Sequence, residues 1–114
     1  QDHVEQALDL NEFLIRNENS TFIVKANSLS MLDAGIDIDD PLVVDRSIPA
    51  KSGDIVIALI DNDFTVKRLM IDHHFSPPKV WLKAENPDYQ NIYIQEGQEL
   101  VIWGVVTYNL KPMR

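Results

Sequence analysis

DIVIALI-DND-FTVKRLMI, residues 54–71, is the stretch whose reading decides the fold. Ile55 to Ile60 is a short apolar run, and Phe64 to Ile71 alternates at the period of a strand. The Asp61-Asn62-Asp63 between them suits a tight hairpin, because Asn and Asp tolerate the left-handed backbone such turns require. Working outward, TFIVKA (21–26), PLVVDRS (41–47), KVWLKA (79–84), NIYIQ (91–95) and ELVIWGVVTYNL (99–110) are runs of the same kind, separated by Gly, Pro, Asn and Asp. About seven strands result. With no internal repeat and no strand–helix rhythm, a doubly wound parallel sheet is disfavoured, and a mostly β fold of curled antiparallel sheet is expected. Helical signals are confined to two places. VEQALDLNEFLIR (4–16) has apolar residues at mixed spacings and reads as an arm with one or two short helical turns. SMLDAGI (30–36) has a Ser followed three residues later by an acid and closed by Gly35, the pattern of a single capped turn.

The 114 residues, 45% hydrophobic and 25% charged, fit one core. The absence of Cys excludes disulfides, a thiolate zinc site and a cysteine nucleophile. The longest apolar stretches, Ile55–Ile60 and Leu100–Val106, fall far short of the ~18 residues of a membrane span, so no membrane partner and a cytoplasmic location are expected. The first residue is Gln1 rather than Met, which reads as a processed or trimmed start. Residues 1–63 carry 4 basic and 13 acidic side chains, a charge of −9, and residues 64–114 carry 6 and 5, a charge of +1, so the front half is the source of the net −8. No basic stripe is present to release counterions from a phosphate backbone, and direct nucleic-acid binding is not expected.

The carboxylates Asp33, Asp37, Asp39, Asp40 and Asp45 read as a solvated loop face; a calcium loop would need a Gly at its sharp turn and a distal Glu, which are missing. No metal is expected. Four glycines, at 35, 53, 97 and 104, are too sparse for a dinucleotide or phosphate loop, and no cofactor is expected. His73 and His74 are adjacent on an extended chain, pointing apart, with His3 distant; they read as solvated loop residues rather than ligands or triad members.

Lys67 and Ser30 are more informative. Strand alternation puts Thr65, Lys67, Leu69 and Ile71 on one face and Phe64, Val66, Arg68 and Met70 on the other. Burial of the first face would lower the Lys67 pKa and make it a general base near neutral pH; an ordinary strand lysine would instead snorkel to water or guard an edge. Ser30, at a strand–turn–helix junction, is either the N-cap of the following turn or a hydroxyl placed where backbone N–H groups converge to support an oxyanion. The spacing Ser-x-x-Lys is absent, so any serine–lysine pair must assemble from separate elements.

Taken together, Ser30-Met31, Ala34-Gly35-Ile36, Val44-Asp45, Gly53-Asp54-Ile55-Val56, Phe64 to Leu69, AENPDY at 84–89 and Gly104-Val105-Val106 resemble the UmuD/LexA group of self-cleaving serine–lysine peptidases. The resemblance covers nearly the whole chain. It implies the LexA/signal-peptidase-like β fold, with an N-terminal arm (1–20), a peptidase-like β domain (21–114), and a short helical turn carrying the nucleophile. It also implies Ser30 as nucleophile and Lys67 as neutral general base. The implied partners are a second copy in a homodimer, the RecA–DNA filament that stimulates self-cleavage, and the catalytic subunit of an error-prone translesion polymerase in the SOS response.

Three departures accompany it. Ser28 stands where the group usually has Gly, Asp39-Asp40-Pro41 replaces a Gly-Asp, and no Cys-Gly or Ala-Gly bond precedes Ser30; Ala34-Gly35, beside the nucleophile, reads as a helix cap. The alternatives are the catalytic and dimerisation domain of a LexA-like or phage repressor, and a β-rich interaction module in which Ser30 and Lys67 are structural.

Overall fold

The computed structural model describes Val4 and residues 6–114, so the expectation for His3 lies outside the described residues. Seven strands form: β1 (Thr21–Lys25), β2 (Pro41–Asp45), β3 (Ile55–Ile60), β4 (Asp63–Asp72), β5 (Lys79–Lys83), β6 (Ile92–Tyr93) and β7 (Leu100–Asn109). They make one sheet, in the order β1-β2-β7-β3-β4-β5-β6, with every neighbour antiparallel. Each apolar run of the sequence is a strand, although the NIYIQ run pairs over two residues only.

The β3–β4 hairpin closes between Ile60 and Asp63, with Asp61 at φ 47° and Asn62 at φ 72°. Both central residues are left-handed, as a two-residue turn matching the strand twist requires. Asp63 belongs to β4 rather than to the turn, because a two-residue loop already reverses the chain.

β7 is the strand that curls the sheet. Its register slips against β2 between Val43 and Val44, and against β3 between Ile57 and Ala58. Thr107 and Trp103 are the extra residues on β7, and each bulge bends the strand and increases its twist. The curl gives the sheet two covered faces. Ile57, Leu42 and Val44 pack with Ala26, Met31 and Ile36 on one side. Val56 and Ala58 pack with Leu69, Leu82 and Val105 on the other. Successive β3 residues thus enter different cores, which is why IVIALI is apolar at every position instead of alternating.

Gly104 lies at the crossing of β7 and β2, where an added Cβ would meet Val44 Cγ1 at 2.5 Å and Arg46 Cγ at 3.3 Å. Val44 is fully buried, so it has nowhere to go. Gly104→Ala is expected to destabilise the chain by about 1–3 kcal/mol through overpacking, read as a lower urea midpoint with an unchanged m-value.

The helical segments are small. α1 (Leu10–Leu14) is capped by the Asp9 carboxylate, which accepts from the N–H groups of Asn11 and Glu12. Phe13 packs on Tyr108 of β7 with ring centroids 5.6 Å apart. A single 3₁₀ turn spans Leu32–Ala34 and ends at Gly35 with φ 86°, its N–H donating to the Leu32 carbonyl. That is the left-handed cap expected of Gly35.

The acidic cluster is only partly a solvated face. Asp33, Asp37 and Asp39 are exposed, whereas Asp40 and Asp45 are buried. Asp40 accepts from the Asp37 N–H, from Asn109 Nδ2 and from Lys111 Nζ, tying β2 to the C-terminal segment; these donors hold its carboxyl down to about 2. Asp45 accepts from the N–H and hydroxyl of Ser47 and from the Ser20 hydroxyl. Composition shows a run of carboxylates; only the fold supplies the donors that permit burial of two of them.

Candidate active site

Lys67 occupies the middle of β4 opposite Val56, two residues before the buried Leu69. Its side chain is 7% exposed. The snorkelling alternative therefore does not describe it. Nζ donates to Thr65 Oγ1 at 2.7 Å, to Ser30 Oγ at 2.9 Å and to the Val66 carbonyl at 3.3 Å. All three partners are neutral, and no carboxylate is among them. Burial thus acts against the ammonium without a compensating charge and pushes the Lys67 pKa down. Thr65 reaches the amine because residues two apart on a strand share a face, a relation legible in the sequence but with no chemistry attached to it there.

Ser30 is 3% exposed and lies two residues ahead of the 3₁₀ turn rather than on it. It is not the N-cap: Met31 holds that position, with no side-chain cap. The hydroxyl is left to the lysine. What holds the serine in place is the 84–89 segment. Glu85 donates its N–H to the Ser30 carbonyl at 2.9 Å and accepts the Asp33 N–H at 2.8 Å, while Asn86 Nδ2 donates to the Leu29 carbonyl at 2.8 Å. The Glu85 carboxylate in turn takes Arg68 Nε at 2.8 Å, and the guanidinium holds that carboxyl below its ordinary range. Arg68 also donates through Nη1 to the Gly53 carbonyl. One short segment therefore fastens the Ser30 turn to the strand that carries Lys67.

Ser28 adds a local bond, its Oγ accepting the Ser30 N–H at 3.0 Å. Ser28, Ser30 and Met31 line a cavity closed by Phe64, Thr65 and Val66. Next to it lies an apolar groove walled by Val24, Ile57, Phe64, Val66 and Trp103. Glu85, Asn86 and Thr65 carry no residue-level signal in the sequence that would assign them to a site; only the resemblance touches them, through AENPDY and the Phe64 to Leu69 run. His73 and His74 are exposed, with His74 bonded to Asp72 through both its N–H and Nδ1. Among the described residues no group of three or more His, Asp or Glu is placed to hold a metal ion.

A serine hydroxyl within hydrogen-bond reach of a desolvated amine can lose its proton to that amine as it attacks a carbonyl. Fold and contact together define the class: an all-antiparallel β protein with a buried serine–lysine contact at the head of a 3₁₀ turn. The chain belongs to the Peptidase S24-like family, a family of self-cleaving serine peptidases, which it matches over residues 1–107. It is 41% identical over 111 residues to Protein MucA of Salmonella typhimurium, covering 96% of this chain and 73% of that one. It is 40% identical over 113 residues to Protein ImpA of Shigella flexneri, covering 99% and 74%. Against the LexA repressor of Paraburkholderia xenovorans it is 37% identical over 113 residues, 98% of this chain but 50% of the repressor. No helix among the described residues is long and apolar enough to cross a membrane.

Proposed function

We propose that Ser30 is the nucleophile and Lys67 the general base of a serine peptidase that cuts an extended segment of a chain of its own kind. The observation that carries the reading is the 2.9 Å contact between Ser30 Oγ and a buried Lys67 Nζ with only neutral partners. Ser30 Oγ attacks the scissile carbonyl carbon as its proton passes to the neutral Lys67 amine. The tetrahedral adduct collapses when Lys67 returns that proton to the departing amine, leaving an acyl-serine. Water, deprotonated by the same amine, then releases the acid. A structural lysine in a core would be expected beside a carboxylate, which supports this reading over an interaction module.

The wider role follows the UmuD-like resemblance. Residues 1–20 form an arm and 21–114 the peptidase-like domain. A RecA–DNA filament stimulates cleavage by favouring the bound pose of the arm. The processed chain acts in the cytoplasm as the homodimeric accessory subunit of an error-prone translesion polymerase in the SOS response. The higher identity to MucA and ImpA, and the larger share of their length that is matched, support this over the repressor alternative, for which the LexA likeness speaks.

The test mixes the chain with a full-length copy whose own nucleophile is Ala and follows release of the arm by mass. Slow, concentration-dependent release, faster at alkaline pH and absent with Lys67→Ala, is the expected result. No release at any concentration, with the Lys67→Ala control indistinguishable, would refute the dyad. Sedimentation at micromolar concentration is expected to give twice the chain mass, and a monomer throughout would remove the dimeric role.

A further inference from the structure

We propose that the Ser28 hydroxyl is a second donor to the oxygen that gains negative charge when Ser30 attacks a carbonyl, making Ser28 a catalytic residue of this chain. The inference rests on the reading of Ser30 and Lys67 given above. It starts from the donors around the turn, where over residues 30–36 the Ser30 and Met31 N–H groups make no backbone hydrogen bond. The N–H groups of Leu32, Asp33, Ala34 and Gly35 are committed to the carbonyls of Leu29, Glu85, Met31 and Leu32. The Ser30 N–H is not committed to backbone; it is held by Ser28 Oγ alone, at 3.0 Å.

Its direction is set from behind. Asn86 Nδ2 grips the Leu29 carbonyl, which belongs to the same peptide unit as the Ser30 N–H. In a trans peptide the two point opposite ways, so anchoring the carbonyl aims the N–H at Ser28. The next peptide is pinned as well, with the Ser30 carbonyl accepting from Glu85.

Ser28 Oγ accepts one hydrogen bond and still owns a proton, for which no acceptor is present among the described residues. A hydroxyl can donate and accept together. The half-buried Ser28 side chain lines the same cavity as Ser30, opposite Phe64 and Thr65. At rest the pair is closed: the buried amide is satisfied by the hydroxyl and no desolvated N–H is left orphaned. When a carbonyl oxygen arrives beside Ser30, rotation about the Ser28 Cα–Cβ bond opens the pair. Both hydrogens, the amide N–H and the hydroxyl O–H, then converge on one oxygen.

The electrons balance without any proton leaving Ser28. The Ser30 Oγ–C bond forms, the carbonyl π pair moves onto oxygen, and the Ser30 proton goes to Lys67. On collapse the C–N bond breaks, Lys67 protonates the leaving amine, and Ser28 closes again on the amide. A glycine at position 28 would offer backbone N–H donors alone.

The test is the rate at which a fluorophosphonate modifies Ser30, read by intact mass from neutral to alkaline pH. In that reaction an Oγ–P bond forms, fluoride leaves, and the phosphoryl oxygen occupies the oxyanion position. Ser28→Ala and Ser28→Gly are expected to react about 100-fold more slowly with the pH midpoint of the parent, the chain folded but at a lower melting temperature because the Ser30 N–H loses its partner, while Ser28→Thr keeps most of the rate. Ser28→Ala within threefold of the parent overturns the proposal. So does a Ser28→Thr as slow as Ser28→Ala, and so does a slow Ser28→Ala whose pH midpoint also moves, because that marks a serine acting through Lys67. If the parent chain, folded, does not react at all, the Ser30–Lys67 reading fails and Ser28 falls with it.

Discussion

Lys67→Met is expected to slow modification of Ser30 by a fluorophosphonate about 10³- to 10⁴-fold while leaving the chain folded and raising its stability near neutral pH. The rate loss is that of a general base removed from a hydroxyl it touches at 2.9 Å. The stability gain has a separate cause. Methionine fills similar volume without an amine that burial disfavours in its charged form. The pH dependence follows with a definite sign. Lys67 has a lowered pKa in the fold and ~10.4 in the unfolded chain. Between those two values the unfolded chain binds the extra proton, so stability rises with pH across that window. Below the folded value the full cost of the buried ammonium is present, and above ~10.4 it is gone. Lys67→Met lacks that rise, so its advantage over the parent shrinks as pH increases. Urea unfolding of both chains from neutral to strongly alkaline pH reads the convergence. A difference independent of pH would mean that Lys67 titrates alike in both states and is no neutral base.

Asn86→Asp is expected to cost the same reaction about 100-fold, chiefly through geometry. Asn86 Oδ1 accepts the Asp88 N–H, and that bond survives the substitution. Nδ2, which holds the Leu29 carbonyl at 2.8 Å, is replaced by a carboxylate oxygen that repels it. The peptide carrying the Ser30 N–H then loses its fixed plane, and displacement of a reacting group by about 1 Å is enough for a loss of this size. The added negative charge favours the Lys67 ammonium, so the pH midpoint is expected to move up while the rate above it stays low. A rate restored to the parent's above the new midpoint would place the loss in the lysine's electrostatics instead, and an unchanged rate would show that Glu85 alone secures the turn.

How much of this was legible beforehand depends on the range over which each feature is encoded. Strands and hairpin are local. The β-branched runs, the Asp61-Asn62 turn and the Gly35 cap each need only neighbouring residues to form, and each appears where the sequence puts it. The face that carries Lys67 is also local, being set by alternation. Whether that face meets core or water is not, since the same pattern suits an edge lysine; placement of β4 between β3 and β5 decides it.

Ser30 shows the limit most directly. Its capping pattern with Asp33 was intact, yet the hydroxyl turned to Lys67, 37 residues away, and the cap was never made. The Asp33 N–H that such a cap would take is held by the Glu85 carbonyl, and the hydroxyl meets the buried amine instead. The same reasoning separates Asp40 and Asp45 from their exposed neighbours, because donors from Asn109, Lys111 and Ser20 come to them only through folding. By itself, then, the sequence determined which segments are strands, where the chain turns, and which two side chains merited attention. Tertiary structure alone decided that those two touch and that Glu85 and Asn86 hold the turn that carries Ser30. Hydrogen-bonded contacts across the sheet are fixed by how the strands pair, and strand pairing is not written in any one stretch of residues.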